Sequence, residues 1–156
     1  LWVQVQLGRM DEAEYWNGVA ELLYTTPDVI PELRRDYFSQ DKVHEPTVNL
    51  IRELREKGYP VALLSNDSAS LEQKLHDLDL YELFDHVVIS AKIGVMKPDS
   101  TAYRIALQGL GTKPQETVFV DDMPENTFAA EGVGLKTVLA RPNVDVPAEM
   151  RRLLNL

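Results

Sequence analysis

Three polar clusters, each placed shortly after an apolar run, are the residues of this sequence best suited to chemistry. They are Ser65 with Asn66, Lys97, and Asp121 with Asp122. In open α/β proteins the functional groups collect at the carboxyl ends of parallel strands, which meet at one edge of the sheet. We therefore expect a hydroxyl, an amide, an ammonium and two carboxylates to converge on one site.

The first two clusters each allow two interpretations. Ser65 and Asn66 follow an apolar run and precede a predicted helix, where they could bind an anion such as phosphate. The same residue types are favoured in helix caps and turns. Lys97 could neutralise phosphate oxygens, whereas most lysines are simply solvated. Taken singly, both clusters favour the structural interpretation.

The acidic pair is more informative. Two adjacent carboxylates at the end of a buried strand, Asp121 and Asp122, repel each other unless a cation compensates them. Hard oxygen ligands suit Mg²⁺. An N-cap for the helix that begins at Pro124 would account for only one of the two. The pair therefore predicts Mg²⁺ bound by Asp121 and Asp122.

Composition narrows the class of protein. A length of 156 residues fits one domain, with or without a small appendage. The net charge of -9 disfavours binding to nucleic acid and to anionic membrane surfaces. The chain has no cysteine, so a thiolate nucleophile and disulfides are excluded and a reducing cytoplasm is expected. The first residues resemble neither a signal peptide nor a membrane span. A start at Leu1 rather than methionine suggests a fragment or a processed product.

From residue 46 onward, helices alternate with short apolar strands. The spacing predicts strands over 60–65, 86–90, 117–121 and 135–140, and helices over 46–57, 69–78, 100–109 and 124–131, with a last helix from Pro147. Continuously apolar strands between helices are typical of a parallel sheet covered on both faces. We therefore predict an α/β fold.

The preceding segment has a different texture. Helical spacing and an Asp11–Glu14 capping box predict a helix over 11–23, and Thr26-Pro27 predicts the start of a second helix. A domain boundary is expected near 41–46. The alternating segment 2–7 has the period of a half-buried strand.

Two longer segments carry a resemblance to a known family. The runs 90–99 (SAKIGVMKPD) and 118–126 (VFVDDMPEN), placed after Ser65-Asn66, resemble the later three motifs of the haloacid dehalogenase (HAD) superfamily. They look like the subfamily with a helical cap, which includes small-molecule phosphatases and the phosphatase domain of soluble epoxide hydrolase. The resemblance implies a partial helical cap at 1–44 and a HAD-like, Rossmann-like core with a parallel sheet at 45–156.

The resemblance also implies site roles and an activity. Ser65 would hold a phosphate oxygen, Asn66 would orient substrate, Lys97 would bridge nucleophile and phosphate, Asp121 with Asp122 would hold Mg²⁺, and Asn126 would support their loop. The implied activity is that of a Mg²⁺-dependent phosphatase of small phosphorylated metabolites, working through an aspartyl-phosphate.

One motif of the family has no counterpart. The Asp-x-Asp motif supplies the nucleophile and the general acid and base, and no segment before the cap remnant resembles it. Asp77-Leu78-Asp79 matches the spacing, but it closes an apolar-striped helix rather than a strand. We therefore expect this chain alone to be inactive. The alternative is a non-catalytic phosphate-binding, metal-binding or assembly module.

Two related classes are disfavoured. Dehalogenases of the superfamily need no metal and lack paired aspartates, and phospho-receiver domains carry their acidic pair and Lys-Pro in the reverse order.

In the resembling family the first-motif strand lies between the strands at 61–65 and 117–121. Its loss would expose two sheet edges, so we expect a strand-exchanged homodimer or a poorly soluble monomer. Segment 2–7 could fill the gap as a strand, although the resemblance implies that it is helical.

Overall fold

The structure, a computed structural model, describes residues 1–39 and 41–156. Gln40, inside the predicted cap remnant, lies outside the described residues. The helices are α1 (Trp2–Gln6), α2 (Glu12–Leu22), α3 (Ile30–Tyr37), α4 (Glu45–Glu56), α5 (Leu71–Asp77), α6 (Ser90–Ile93), α7 (Ser100–Leu110), α8 (Pro124–Val133) and α9 (Val146–Leu154). The strands are β1 (Ala62–Ser65), β2 (His86–Ile89), β3 (Val118–Asp121) and β4 (Lys136–Leu139).

The four strands form two parallel pairs. Strand β1 pairs with β2 in a register that runs from Ala62 opposite His86 to Ser65 opposite Ile89. Strand β3 pairs with β4, from Val118 opposite Lys136 to Asp121 opposite Leu139. Within residues 1–39 and 41–156, the two pairs are separate sheets. The predicted α/β fold with parallel strands is confirmed.

Helices cover both faces of the strands. On one face, Leu50 and Leu54 of α4 and Met150 of α9 form an apolar cluster that Val118 and Val120 of β3 join. On the other face, helices α7 and α8 and the residue Leu135 that follows α8 form a second cluster, which Phe119 joins; its buried members are Tyr103, Leu107, Ala130 and Leu135. Because successive side chains of a strand point to opposite faces, Phe119 and its two valine neighbours place these clusters on opposite sides.

A cavity of about 820 Å³ separates the two strand pairs. Its walls include Leu63 and Leu64 of β1, Phe119 and Val120 of β3, and side chains of the helices above and below. Strands β1 and β3, which line this cavity, are mostly half-buried, whereas Val88 of β2 is only 2% exposed.

The alternating pattern of segment 2–7 has the period of a strand, but the segment is mostly helical. Residues 2–6 form helix α1, in which Val5 is 2% exposed while Val3 is 49% exposed. Residues two positions apart lie on different faces of a helix, so the alternation does not produce one buried face. The ring of Trp2 packs 4.9 Å from that of Tyr15 and 5.9 Å from that of Tyr37, which fixes the helix against α2 and α3. The helix implied by the resemblance is the observed one.

Other boundaries differ by a few residues. A 3-10 turn, Pro27–Val29, precedes α3, and Ser90 begins the short helix α6 instead of ending β2. The side chain of Asp11 caps α2 by accepting a hydrogen bond from the backbone N–H of Glu14. Asp77 ends helix α5, so the Asp77-Leu78-Asp79 run follows no strand.

None of the helices formed by residues 1–39 and 41–156 combines the length and apolar character that a bilayer crossing requires.

Candidate active site

Lys97 connects the two strand pairs at their carboxyl ends. Its Nζ donates to the backbone carbonyl of Leu64 at 2.9 Å and to Oδ2 of Asp121 at 2.7 Å. The side chains of Lys97 and Asp121 are 10% and 6% exposed. The ammonium also lies 5.5 Å from the centre of the Phe119 ring, a cation–π distance. Three chain segments that are far apart in sequence therefore meet at one buried charge pair.

The backbone of Lys97 is held by Asn66. The side-chain amide of Asn66 donates to the carbonyl of Lys97 at 2.8 Å and accepts from its N–H at 2.8 Å. Just before this loop, α6 ends at Gly94 with φ +72, a left-handed conformation that glycine adopts without a Cβ clash. Just after it, the side chain of Asp99 caps α7.

Asp121 is ionised in a largely closed environment. Burial by itself raises the pKa of this carboxyl, but hydrogen bonds from Lys97, Asn126 and the Met123 backbone outweigh it and hold the pKa below its ordinary value. Oδ1 accepts from Asn126 Nδ2 and from Met123 N, each at 2.9 Å. The positive charge of Lys97 thus compensates Asp121, so repulsion within the acidic pair does not require a bound cation.

Asn126 links this carboxylate to helix α7. Its backbone carbonyl accepts a hydrogen bond from the hydroxyl of Tyr103 at 2.8 Å. Burial, together with the nearby charge of Asp121, raises the pKa of Tyr103 to about 12, so its hydroxyl remains a donor at neutral pH. Asn126 therefore fixes Asp121 and is fixed in turn, which is the supporting position that the resemblance implies.

The remaining predicted residues lie at the same edge. Ser65 ends β1 and pairs with Ile89. Asn66 follows it, but its amide is committed to the backbone of Lys97, so it positions Lys97, and its implied contact with substrate stays a prediction. Asp122 follows Asp121 with an exposed side chain, for which the described residues provide no hydrogen bond or ion pair.

The donor set suits Mg²⁺ only in part. Residues 1–39 and 41–156 contain no group of three His, Cys, Asp or Glu side chains placed to hold a metal ion. Mg²⁺ is often bound by one or two carboxylates, with waters and substrate phosphate completing its octahedron. Asp121 and Asp122 fit that minimal pattern, although Oδ2 of Asp121 already accepts from Lys97.

A second polar cluster, absent from the sequence-based predictions, joins the first helices to the loop after β1. The hydroxyls of Ser68 and Ser70 both donate to the carboxylate of Glu12, which also pairs with Arg34 at 2.9 Å. Gln6 adds a hydrogen bond from its side chain to the backbone carbonyl of Asn66 at 2.8 Å. The contacts with Ser68, Ser70 and Asn66 join residues more than fifty positions apart, so no local sequence pattern could predict them.

Asp67 lies inside this loop. Burial raises the pKa of its carboxyl above the ordinary value, and the charges of Glu12 and Asp41 act in the same direction. The backbone N–H of Ser68 donates to Asp67 Oδ1 at 2.7 Å and opposes this shift. The loop between β1 and α5 therefore holds a carboxylate that is less easily ionised than usual.

Sequence relatives support a hydrolase. The chain is 27% identical over 154 residues to a sesquiterpene phosphatase, astK, of Aspergillus oryzae, covering 98% of this chain and 79% of that protein. It is 26% identical over 129 residues to bifunctional epoxide hydrolase 2 of Rattus norvegicus, covering 80% of this chain but only 23% of that protein. A glyceraldehyde 3-phosphate phosphatase of Methanopyrus kandleri is 32% identical over 106 residues, 67% of this chain and 46% of that protein.

Solved structures share the fold. A HAD family enzyme of Bacteroides thetaiotaomicron, crystallised as an aspartate-to-alanine mutant with magnesium and inorganic phosphate, superposes with a TM-score of 0.80. The two are 23% identical, and the match covers 96% of this chain and 80% of that one. The sequence model of the haloacid dehalogenase-like hydrolases matches residues 4–134. Together with the site geometry, this match shows that the chain belongs to the haloacid dehalogenase-like hydrolase family.

Proposed function

We propose that this site is that of a Mg²⁺-dependent phosphatase of small phosphorylated metabolites, and that the chain by itself does not turn substrate over. The observation that carries the proposal is the buried ammonium of Lys97, held between Leu64 O and Asp121 at the shared end of β1 and β3. A buried cation at the carboxyl ends of parallel strands is suited to stabilising the charge of a phosphoryl group during transfer.

Each residue has a separate task in this proposal. The hydroxyl of Ser65 binds a phosphate oxygen, and Lys97 neutralises the negative charge shared by nucleophile and phosphate. Asp121 and Asp122 hold Mg²⁺, which supplies further charge stabilisation to the phosphoryl group. Asn126 keeps Asp121 in place.

The nucleophile is an aspartate that enters beside Lys97 on an Asp-x-Asp segment, for which residues 1–39 and 41–156 contain no candidate strand. Its carboxylate oxygen bonds to phosphorus as the ester P–O bond breaks, and the second aspartate gives its proton to the leaving alcohol. Water then attacks the aspartyl-phosphate, passes a proton back to the second aspartate, and releases inorganic phosphate. Both aspartates end in their starting states.

The relatives support the substrate class. The fungal and archaeal relatives named above are both phosphatases, and the solved relative holds magnesium and inorganic phosphate. A phosphorylated small molecule is the class that these descriptions share. The lack of cysteine, together with a phosphorylated metabolite as substrate, supports our proposal of a cytoplasmic location.

The test is an assay of p-nitrophenyl phosphate hydrolysis with Mg²⁺. The chain alone should release product no faster than a blank, and the chain extended at its amino terminus by an apolar strand ending in Asp-x-Asp should be active. The matched control carries Asn in place of the first of those aspartates and should stay inactive. Robust hydrolysis by the unextended chain, lost on Asp77→Asn or Asp79→Asn, would show that the nucleophile is one of those residues.

Metal binding is tested separately by calorimetric titration with Mg²⁺. Asp122→Asn should weaken binding at least about tenfold, because one of two charged ligands is lost. Glu125→Gln, an exposed change of equal charge three positions away, is the control and should bind as the unaltered chain does. An equal response of all three proteins would assign Asp122 to another role.

One observation favours a second candidate, a non-catalytic phosphate-binding, metal-binding or assembly module. Lys97 and Asp121 satisfy each other, so the site is stable without a nucleophile. A module of this kind would bind inorganic phosphate in the titration, and it would remain inactive when extended by the Asp-x-Asp segment.

A further inference from the structure

The first helix of the chain contacts the loop that supports the candidate site. The side-chain amide of Gln6, the last residue of α1, donates a hydrogen bond to the backbone carbonyl of Asn66 at 2.8 Å. The two residues are 60 positions apart, and the bond is partly buried. Asn66 is the residue whose amide holds the backbone of Lys97. A side chain of α1 therefore binds the support of the site's buried cation.

A series of hydrogen bonds connects α1 with the buried charge pair. It leads from Gln6 to the main chain of Asn66, and from the Asn66 amide to the N–H and the carbonyl of Lys97, and each bond is 2.8 Å long. The ammonium of Lys97 then donates to Asp121 at 2.7 Å. All of these distances are those of well-formed hydrogen bonds. Because the Asn66 amide moves with its own main chain, the place of Lys97 depends on what holds that main chain.

Packing fixes the end of α1 at this point. Gly8 has φ +67, and a Cβ added there would lie 2.2 Å from the backbone oxygen of Ala91 in α6. Glycine is the residue that permits both this conformation and this approach. Val5, directly before Gln6, is 2% exposed. The donor of Gln6 is thus presented from a helix end that is anchored on both sides of it.

Other contacts already attach the amino-terminal helices to the core. Glu12 of α2 accepts hydrogen bonds from Ser68 and Ser70, farther along the same loop. The bond from Gln6 differs from these in its acceptor, which is the main chain of Asn66. Its particular contribution is therefore the placement of Asn66, and attachment of the helices does not depend on it alone.

We propose that Gln6 is a positioning residue for Lys97. By holding the main chain of Asn66, it keeps the Asn66 amide aligned with the Lys97 backbone, and so keeps the ammonium where it meets a phosphate oxygen. This role requires a donor, because the acceptor is a carbonyl oxygen, and a glutamine amide supplies one. The alignment of Lys97 is independent of the proposed function, whereas the encounter with phosphate rests on it.

The alignment is tested by amide hydrogen exchange of the chain without ligand. Gln6→Met keeps a side chain of similar length but has no N–H. The protection factor of the Lys97 amide, which donates to Asn66, should fall about fivefold, the loss expected for one hydrogen bond. The amides of the β3–β4 ladder should keep their protection. Gln4→Met is the matched control and should change neither, since Gln4 lies in the same helix and its side chain makes no hydrogen bond with residues 1–39 or 41–156.

A carboxylate at position 6 separates the donor from the packing of the side chain. While ionised, the Gln6→Glu side chain offers only acceptors to the Asn66 carbonyl, so protection of the Lys97 amide at pH 7 should be no higher than in Gln6→Met. Below about pH 4.3 the carboxyl is mostly protonated and its O–H can donate, so protection should recover toward that of the unaltered chain. Gln6→Met has no titratable group and should show no recovery.

The effect on the site is measured by calorimetric titration with inorganic phosphate in the presence of Mg²⁺. Gln6→Met should bind phosphate about fivefold more weakly than the unaltered chain, and Gln4→Met should bind it equally well. Equal binding by Gln6→Met, despite lost protection of the Lys97 amide, would overturn the link to phosphate. If the unaltered chain binds no phosphate, the proposed function fails, and the exchange measurements decide the positioning role.

The positioning role is overturned if the Lys97 amide keeps its protection in Gln6→Met. It is also overturned if the amides of the β3–β4 ladder lose protection by the same factor, because Gln6 would then be a general anchor of the fold. A third contrary result is the absence of recovery by Gln6→Glu in acid. If Gln6→Met does not fold, the comparison of Gln6→Glu with the unaltered chain at pH 7 and at pH 4 decides.

Discussion

The side-chain amide of Asn66 grips the backbone of Lys97 at two points, with hydrogen bonds of 2.8 Å to its carbonyl and to its N–H. One residue after β1 thereby fixes the loop that carries the site's buried cation. An amide is the side chain that offers both a donor and an acceptor at this reach. Neither a carboxylate nor a hydroxyl of similar length reproduces both bonds.

Replacing Asn66 should release Lys97 from its position. Asn66→Ala removes both bonds and should cost about 2 kcal/mol, while Asn66→Asp keeps an acceptor for the N–H but turns a carboxylate toward the Lys97 carbonyl. We expect both to lower the urea midpoint, with Asn66→Asp recovering part of the loss at acid pH, when it is protonated. Asn49→Ala, on the exposed face of α4, is the control and should change little.

The Lys97–Asp121 pair should show strong coupling. Removing one member leaves a buried charge without its partner, so Lys97→Met and Asp121→Asn should each lower the free energy of unfolding by about 3 kcal/mol. The double variant should lose much less than the sum. Urea denaturation of the four proteins measures the coupling; additive losses would contradict the geometry.

Acid should weaken the fold through Asp121. Its pKa is lower in the folded protein than in the unfolded chain, where an aspartate titrates near about 3.9. Its contribution is therefore fully present above that value and is lost as the pH falls through the folded pKa. Urea midpoints below about pH 4 should fall more steeply for the unaltered chain than for the Lys97→Met, Asp121→Asn double variant.

Ionisation of Asp67 should affect stability in the opposite direction to that of Asp121. Because burial raises the pKa of this carboxyl, the charged form disfavours the folded state, and stability is lost as the pH rises through the raised value. Asp67→Asn keeps an acceptor for the Ser68 N–H and should raise the melting temperature at pH 7. The gain should vanish below about pH 3.9, where both side chains are neutral. Asp77→Asn, exposed on α5, changes the net charge equally and should leave the melting temperature nearly unchanged.

Glu12 should hold the amino-terminal helices to the loop after β1. Its carboxylate accepts from Ser68 and Ser70, so Glu12→Ala should remove the charged acceptor of both hydroxyls, at a cost of about 1–3 kcal/mol. Limited proteolysis should then cleave faster within residues 1–39 than within 45–156. Glu14→Ala, in the same turn of α2, is the matched control, and equal cleavage of the two variants would count against the contact.

The elements that sequence reasoning located are those with local causes. The apolar runs that became β1–β4, the Asp11 cap, and the helices predicted over 100–109 and 124–131 depend on neighbours a few positions away. The exception is α1, whose alternating valines have the period of a strand. Its helix depends on aromatic packing against Tyr15 and Tyr37, which lie outside any local window.

The sequence predicted where the site residues lie better than it predicted the hydrogen bonds among them. Residue order placed Ser65, Lys97 and the acidic pair at one edge of the sheet, where the structure has them. The spacing of these residues in the sequence could not show that the Asn66 side chain hydrogen-bonds the backbone of Lys97. Two aligned hydrogen bonds depend on the angle at which two loops meet. The spacing likewise could not show that Lys97 already compensates Asp121.

The division into two strand pairs also bears on how the chain folds. In each pair the partner strands are joined by a single short crossover, so each ladder closes a small loop of chain at modest entropic cost. The β1–β2 unit is complete in sequence before β3 begins, which allows it to assemble during synthesis while the second half is still being made. The later step is then the docking of two preformed halves through α7 and α4, and we expect this step to set the overall folding rate.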